Sequence, residues 1–400
     1  MQMATTTAGP KLGMLPYMAL VFSGVLVFIG DFSLSPSLAA IRANFAHVPN
    51  ADILTPLLGA TAAFTFALGC LMISPVIGRF GYRKVFLLSV ILMGLVGPSA
   101  GFFDSLYVIL LTRVIVGLAT AGMVNSALVA ISRLLEGPAQ SKALGLQSAL
   151  GAVCGVVLLP IIGALTAMTW RLAFSPGLIA LLFIPSILML PSAGSKVEEA
   201  RSDTLRNAIR DAGLLLSLTA LFGGMVMFAI SMFAPLFTVD FGITDPRLLS
   251  IAPTAAVAGG AAGAYLSIPL RRRLGVSYGL AVAGATEVAG LLMIAFSSGL
   301  WSVAMGSLLG GLGTGLVIPM LYGAALKASP ESPASALGLV NALLYGAMIL
   351  FPLAAMPLAK HVGSRPMLLT LAVAGVVLAL AVVATGRARF HEDESEPQTV

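Results

Sequence analysis

Along the chain, apolar runs of about twenty residues alternate with short polar breaks, and each run is long enough to cross a bilayer as a helix. The pattern predicts twelve spans: 14–43, 52–75, 84–103, 105–134, 143–167, 172–192, 213–239, 248–270, 276–297, 300–326, 335–359 and 365–386. The runs are continuously apolar rather than apolar at every second position, which argues against a membrane β-barrel. Six runs precede and six follow the polar segment 193–212, the only long charged stretch between spans. The expected organisation is an N-terminal six-helix bundle over 1–192, a cytoplasmic linker over 193–212, a second bundle over 213–386 and a disordered cytoplasmic tail over 387–400.

The two halves echo each other. Leu144-Gly145-Leu146 followed by Ala149-Leu150 returns 193 residues later as Leu337-Gly338-Leu339 followed by Ala342-Leu343. Pro75, Arg79 and Gly81 return as Pro269, Arg273 and Gly275 at an offset of 194. Two echoes at nearly one offset point to a duplicated unit, so the fold class expected is all-α membrane, with two pseudo-symmetric six-helix bundles. A shift of 193 sets Asp31 opposite Gly224 and Arg113 opposite Gly306, which leaves this charge pair to the first half alone.

Composition narrows the class. Apolar residues make up 58% of the chain and charged residues 10%, far below the charge content of a soluble domain. The net charge of +6 reflects topology rather than nucleic-acid binding. Sixteen Lys and Arg lie in loops on the side of both termini, while Arg42, Arg171, Arg247, Lys360 and Arg365 lie on the other side. That bias predicts both termini in the cytoplasm, and the expected location is the inner membrane of a bacterium. Cys70 and Cys154 fall inside apolar runs, where a thiol serves as a small hydrophobe, and suggest no disulfide or metal site. His47 and His361 lie in outer loops, so no His relay is expected. With no metal cluster, Ser/His arrangement or phosphate-binding loop in the sequence, no enzymatic activity is expected.

Few residues within the spans can carry chemistry. A charge at mid-membrane costs at least ~2.5 kcal/mol, so it persists where it is paired, hydrated or functional. At ~1.5 Å per residue, Asp31 lies roughly 15 Å and Arg113 roughly 12 Å below the outer surface, at similar depths. A changing separation between them would load and unload a proton on Asp31; the other reading is a fixed ion pair that positions two helices. Glu287, mid-span, is a second carboxylate, either bonded to a neighbouring helix or active in transport. Gly151-x-x-x-Gly155 and Gly259-x-x-x-Gly263 present small faces that allow close helix approach.

Several motifs resemble those of the major facilitator superfamily, and within it the drug/proton antiporters. Arg79, Gly81, Arg83 and Lys84 match the loop between helices two and three, with Gly78 in place of its Asp and Tyr82 in place of an Arg. Arg113 and Gly117 match the helix-four motif. Gly155, Pro160 and Gly163 match the antiporter signature of helix five, with Leu159 and Ala164 replacing glycines. Trp170, Arg171 and Phe174 resemble a further family motif. The resemblance implies that helices one and four line a central cavity, that helix nine is peripheral, and that the glycine faces of helices five and eight meet between the halves.

It further implies a cavity lined by Phe64, Asn125, Gln147, Met227, Phe228, Met232, Asn341 and Tyr345. The function expected is proton-coupled export of small lipophilic or cationic compounds by alternating access, with Asp31 and Arg113 coupling the proton. The alternative is a superfamily transporter of a specific metabolite such as a sugar, amino acid, siderophore or lysolipid, working as an importer. The expected partners are a small-molecule substrate, protons and the lipid bilayer. No nucleic acid and no cofactor beyond the proton gradient is expected, and the protein is expected to be a monomer.

Overall fold

In the computed structural model, which describes residues 13–31, 34–191, 202–328 and 333–393, every regular element is helical. The first bundle comprises α1 (Met14–Asp31), α2 (Ala51–Phe80), α3 (Tyr82–Ser99), α4 (Leu106–Leu134), α5 (Gly137–Met168) and α6. The last is wound as a tight 3₁₀ helix over Trp170–Phe183 before Ile184–Leu188. In the second bundle, α7 runs through Ser202–Phe228 and a π-helical turn, Ala229–Phe233, into Ala234–Thr238. One continuous stretch, Ile251–Ala295, follows. It breaks at Gly275, whose φ of 71° is closed to most side chains, and so forms two spans, α8 (251–274) and α9 (276–295). Then come α10 (Leu300–Ala328), α11 (Pro333–Val362) and α12 (Ser364–Asp393).

The spans match the sequence reading closely, with three differences. Helix begins at Ser202, so the latter part of the stretch read as linker is already α7. The last helix continues to Asp393, past the point where the tail was expected to become unstructured. The first span stops as α1 at Asp31, and its outer part is a separate short helix, Leu38–Asn44.

Each bundle repeats one pairing scheme. In the first, α1 packs on α5, α2 on α4 and α3 on both α4 and α6; in the second, α7 packs on α11, α8 on α10 and α9 on α10 and α12. The duplication reaches single atoms. Gly117 of α4 rests on the Ala62 carbonyl of α2, and Gly311 of α10 rests on the Ala256 carbonyl of α8, so closely that any side chain would overlap it. Both positions are related by 194, the offset that also relates Gly81 (φ 84°) to Gly275. Arg113 is therefore matched by Ser307, one residue beyond the counterpart the shorter offset indicated.

The bundles meet where α2 faces α11 and α5 faces α8. At the end far from the termini, the seam is closed by several contacts. The Ser35 hydroxyl donates to the Ser231 carbonyl within the π-helical turn, Met232 sits against Gly59, and Gly163 lies against the Pro246 carbonyl and Ser250. The glycine faces act differently from expectation. Gly155 meets Val257 of α8 as well as Phe28 of α1, but Gly151 packs on Gly24 of α1, and Gly259 and Gly263 pack on the α10 backbone at Leu308 and Leu312. The α8 glycines serve the closest backbone approach, which occurs inside the second bundle rather than between bundles.

Candidate functional site

In the terminal-side half of the seam, polar groups from both bundles come together. On the first side, Asn125 of α4 donates through Nδ2 to the Cys70 Sγ of α2 at 3.3 Å and to the Ala121 carbonyl of its own helix at 2.9 Å. On the second, the Tyr322 hydroxyl of α10 donates to Asn341 Oδ1 of α11 at 2.6 Å. The Tyr322 hydroxyl lies within electrostatic reach of the Cys70 thiol across the seam. Beside them the Phe66 and Tyr345 rings meet edge to face across the seam, 5.0 Å between centroids. The result is a patch of amides, a phenol, a thiol and aromatic edges, contributed by α2, α4, α10 and α11.

Asn125, Asn341 and Tyr345 are thus at the site, while other expected lining residues serve elsewhere. Phe66 makes the aromatic contact rather than Phe64, because two residues along a helix turn a side chain by about 200° and carry Phe64 to another face. Phe228 stacks on Phe351 at 5.5 Å inside the second bundle. Gln147 donates to the Ser23 hydroxyl at 2.6 Å, tying α5 to α1 within the first. Met227 is 8% exposed, and Met232 belongs to the far-end closure. Sequence reasoning missed Cys70 and Tyr322; a phenol in a span otherwise almost free of polar groups was the available signal for Tyr322. A separate hollow of about 420 Å³ lies at the far rim, between Phe237–Phe241 and Gly363–Pro366, away from this patch.

Arg113 is 3% exposed and reaches away from the seam. Its Nη2 donates to the Gly97 carbonyl of α3 at 3.2 Å, its guanidinium lies 5.1 Å from the Phe174 ring centre, and its Nε has no hydrogen-bond partner. The Asp31 side chain lies outside the described residues. The backbone beside it is placed: Gly30 presses on Thr120, seven residues past Arg113 on α4. The Asp31 backbone therefore lies roughly 10 Å deeper than Arg113 rather than level with it.

Glu287 is also fully enclosed, 1% exposed, on α9. It hydrogen-bonds the Thr314 hydroxyl of α10, and its Oε1 has no hydrogen-bond partner. Gly313 gives it room: a Cβ there would lie 2.7 Å from Glu287 Cγ.

The Major Facilitator Superfamily profile matches residues 20–352. The chain belongs to the major facilitator superfamily. It is an integral membrane protein and a transporter rather than an enzyme. Solved members share its fold. A variant of the nucleoside transporter NupG superposes with a TM-score of 0.77 at 13% identity, over 92% of this chain and 99% of that one. The xylose transporter XylE from E. coli, in a partially occluded inward-open conformation, gives 0.73 at 13% identity over 92% and 96%. A POT family transporter in complex with 5-aminolevulinic acid gives 0.74 at 10% identity over 94% and 98%. No curated protein matches the sequence.

The superfamily's loop between helices two and three is rebuilt here around a different residue. Tyr82, standing where the family has Arg, is 1% exposed and donates its hydroxyl to the Pro191 carbonyl at the end of α6. Gly81 makes the turn at φ 84°, Arg79 is exposed and lies over the neighbouring Phe80 ring at 5.5 Å, and Arg83 is half-buried. Pro160 sits on an exposed face of α5 without interrupting the helix. The loop is thus fastened within its own bundle by a phenol.

Proposed function

We propose that the protein is a proton-coupled secondary transporter, both termini cytoplasmic, that moves small amphipathic compounds by rocking its two bundles about the seam. The observation that carries this reading is the presence of two hydrogen-bonded pairs at the seam, Asn125 with Cys70 and Tyr322 with Asn341. Each belongs to a different bundle, so a solute bound between them feels both halves and bonds them differently in each state. With the far end closed, the substrate would enter or leave on the side of the termini.

Asp31 is proposed as the proton site. It lies on α1 next to a tight α4 contact, and Arg113, two turns away, supplies a fixed positive field at the same bundle's core. Drug-like export is the direction favoured by the antiporter-type matches in α5. A second reading, uptake of an uncharged polar metabolite, is favoured by the amides and phenol at the seam, which pair with hydroxyl- and amide-bearing solutes. In proteoliposomes, an imposed proton gradient should drive ethidium under the first reading and uridine or xylose under the second. Asp31→Asn should abolish gradient-driven accumulation while leaving gradient-independent exchange of the active probe. Undiminished accumulation by Asp31→Asn would remove Asp31 from the mechanism.

A further inference from the structure

We propose that Glu287 is a second proton-carrying site, a neutral acid in this conformation that gives up its proton when α10 moves against α9. The proposal rests on the proton-coupled reading above and adds a site in the other bundle.

Burial without an ionic partner favours the protonated form. Thr314 has a single hydroxyl hydrogen, and its Oγ1 donates to the Gly310 carbonyl at 3.1 Å. The same hydroxyl is the one hydrogen-bonding side chain recorded beside the Glu287 carboxyl among the described residues. Oε1 is fully buried without a partner, a position in which a carboxylate would go unsatisfied. A carboxylate enclosed here, with one hydroxyl for company, would carry a desolvation cost that the site does nothing to offset.

Among the described residues, no charged group is recorded in contact with Glu287. On α9 and α10 the titratable side chains nearest it along the chain are Tyr278, nine residues before it, and Tyr322, eight residues beyond Thr314; on α8, Tyr265 is exposed and Arg271, Arg272 and Arg273 cluster at the terminal-side end. Arg271 lies against Gly323 near the terminal side, Arg365 of α12 is tied to the Ser297 carbonyl, and Asp240 sits at the far rim beyond α7. Thr314 is its one recorded hydrogen-bond partner among the described residues.

The helix packed against the acid is built to deform. Between Gly306 and Gly315, α10 carries Gly310, Gly311 and Gly313 as well, and Pro319 follows. Glycine and proline lower the cost of bending a helix. The same helix presents Tyr322 to the seam. A solute that engages Tyr322 therefore pulls on the segment that carries Thr314; as that contact opens and water enters, the O–H bond of Glu287 breaks, leaving a hydrated carboxylate and one released proton.

Infrared difference spectra of the protein in liposomes, taken between about pH 5 and about pH 9, test this without a substrate. The expected result is a protonated-carboxyl band that falls as pH rises, survives Asp31→Asn and is missing in Glu287→Gln; Glu287→Asp, which keeps the acid, should retain a displaced band. A band constant across the range, or one that persists in Glu287→Gln, overturns the proposal. In transport, whichever of ethidium or uridine the wild type accumulates should be accumulated about ten-fold less by Glu287→Gln, with exchange kept within about two-fold. If Asp31→Asn abolishes accumulation and Glu287→Gln leaves it intact, the second site fails and the proton-coupled reading stands. If accumulation by the wild type ignores the proton gradient, the reading itself fails.

Discussion

The α3–α4 pair and the α9–α10 pair are the same structure at an offset of 194, yet each encloses the opposite charge on the opposite member. In the first bundle the charge is Arg113 on α4, spent on the Gly97 carbonyl of α3 and the Phe174 ring. In the second it is Glu287 on α9, spent on Thr314 of α10. The repeat replaces Arg113 with Ser307 and Glu287 with Met93, both almost fully buried. A guanidinium cannot shed its charge in a protein, so Arg113 must be satisfied where it stands and is a fixed field source. A carboxyl can be stored neutral, and so Glu287 can change state. On the proposed reading, equivalent scaffolds hold one permanent charge and one switchable one.

The comparison breaks most easily at the glycines that make the two scaffolds equal. Gly117→Leu and Gly311→Leu each drive a side chain into a carbonyl of the neighbouring helix, at Ala62 and Ala256 respectively. Both should fail to assemble, with losses of at least ~3 kcal/mol read as lost monodisperse protein in detergent. A variant of one that folds normally while the other does not would show that the two contacts are not equivalent.

A smaller effect separates the two charges. Arg113→Met removes the donor to Gly97 but also removes a charge that is costly to bury, so the expected loss is about 1–2 kcal/mol of thermal stability in detergent. If Arg113 acts on Asp31 only as a field, Arg113→Met should also move the pH profile of transport, whereas Arg113→Lys should restore it in part. A stability change without any change in that profile would reduce Arg113 to a helix tie.

Twelve spans, two halves and the buried charges were legible because a twenty-residue apolar run and a lone charge within it have few physical solutions. Helix faces were not. In spans apolar on every side, no stripe distinguishes the side that meets lipid from the side that meets protein. That is why Phe64 was expected where Phe66 lies, and why Gly259 and Gly263 were expected at the seam although they pack inside a bundle. The depth of Asp31 was misjudged for another reason: the outer part of a run that reads as one span is a separate short helix, Leu38–Asn44.

The smallest effect concerns a residue that makes the bundles differ at their loops. Tyr82 and its counterpart Val276 each begin the helix that follows a positive-φ glycine, but only Tyr82 has a hydroxyl, and it closes α3 onto the end of α6 at Pro191. Tyr82→Phe keeps the buried ring and deletes one hydrogen bond, leaving the Pro191 carbonyl near water at the bundle's end. The loss should be about 0.5–1 kcal/mol in thermal unfolding, with transport rates altered less than two-fold. A much larger fall in transport at unchanged stability would show that the loop, fastened within one bundle, nevertheless takes part in rocking the two.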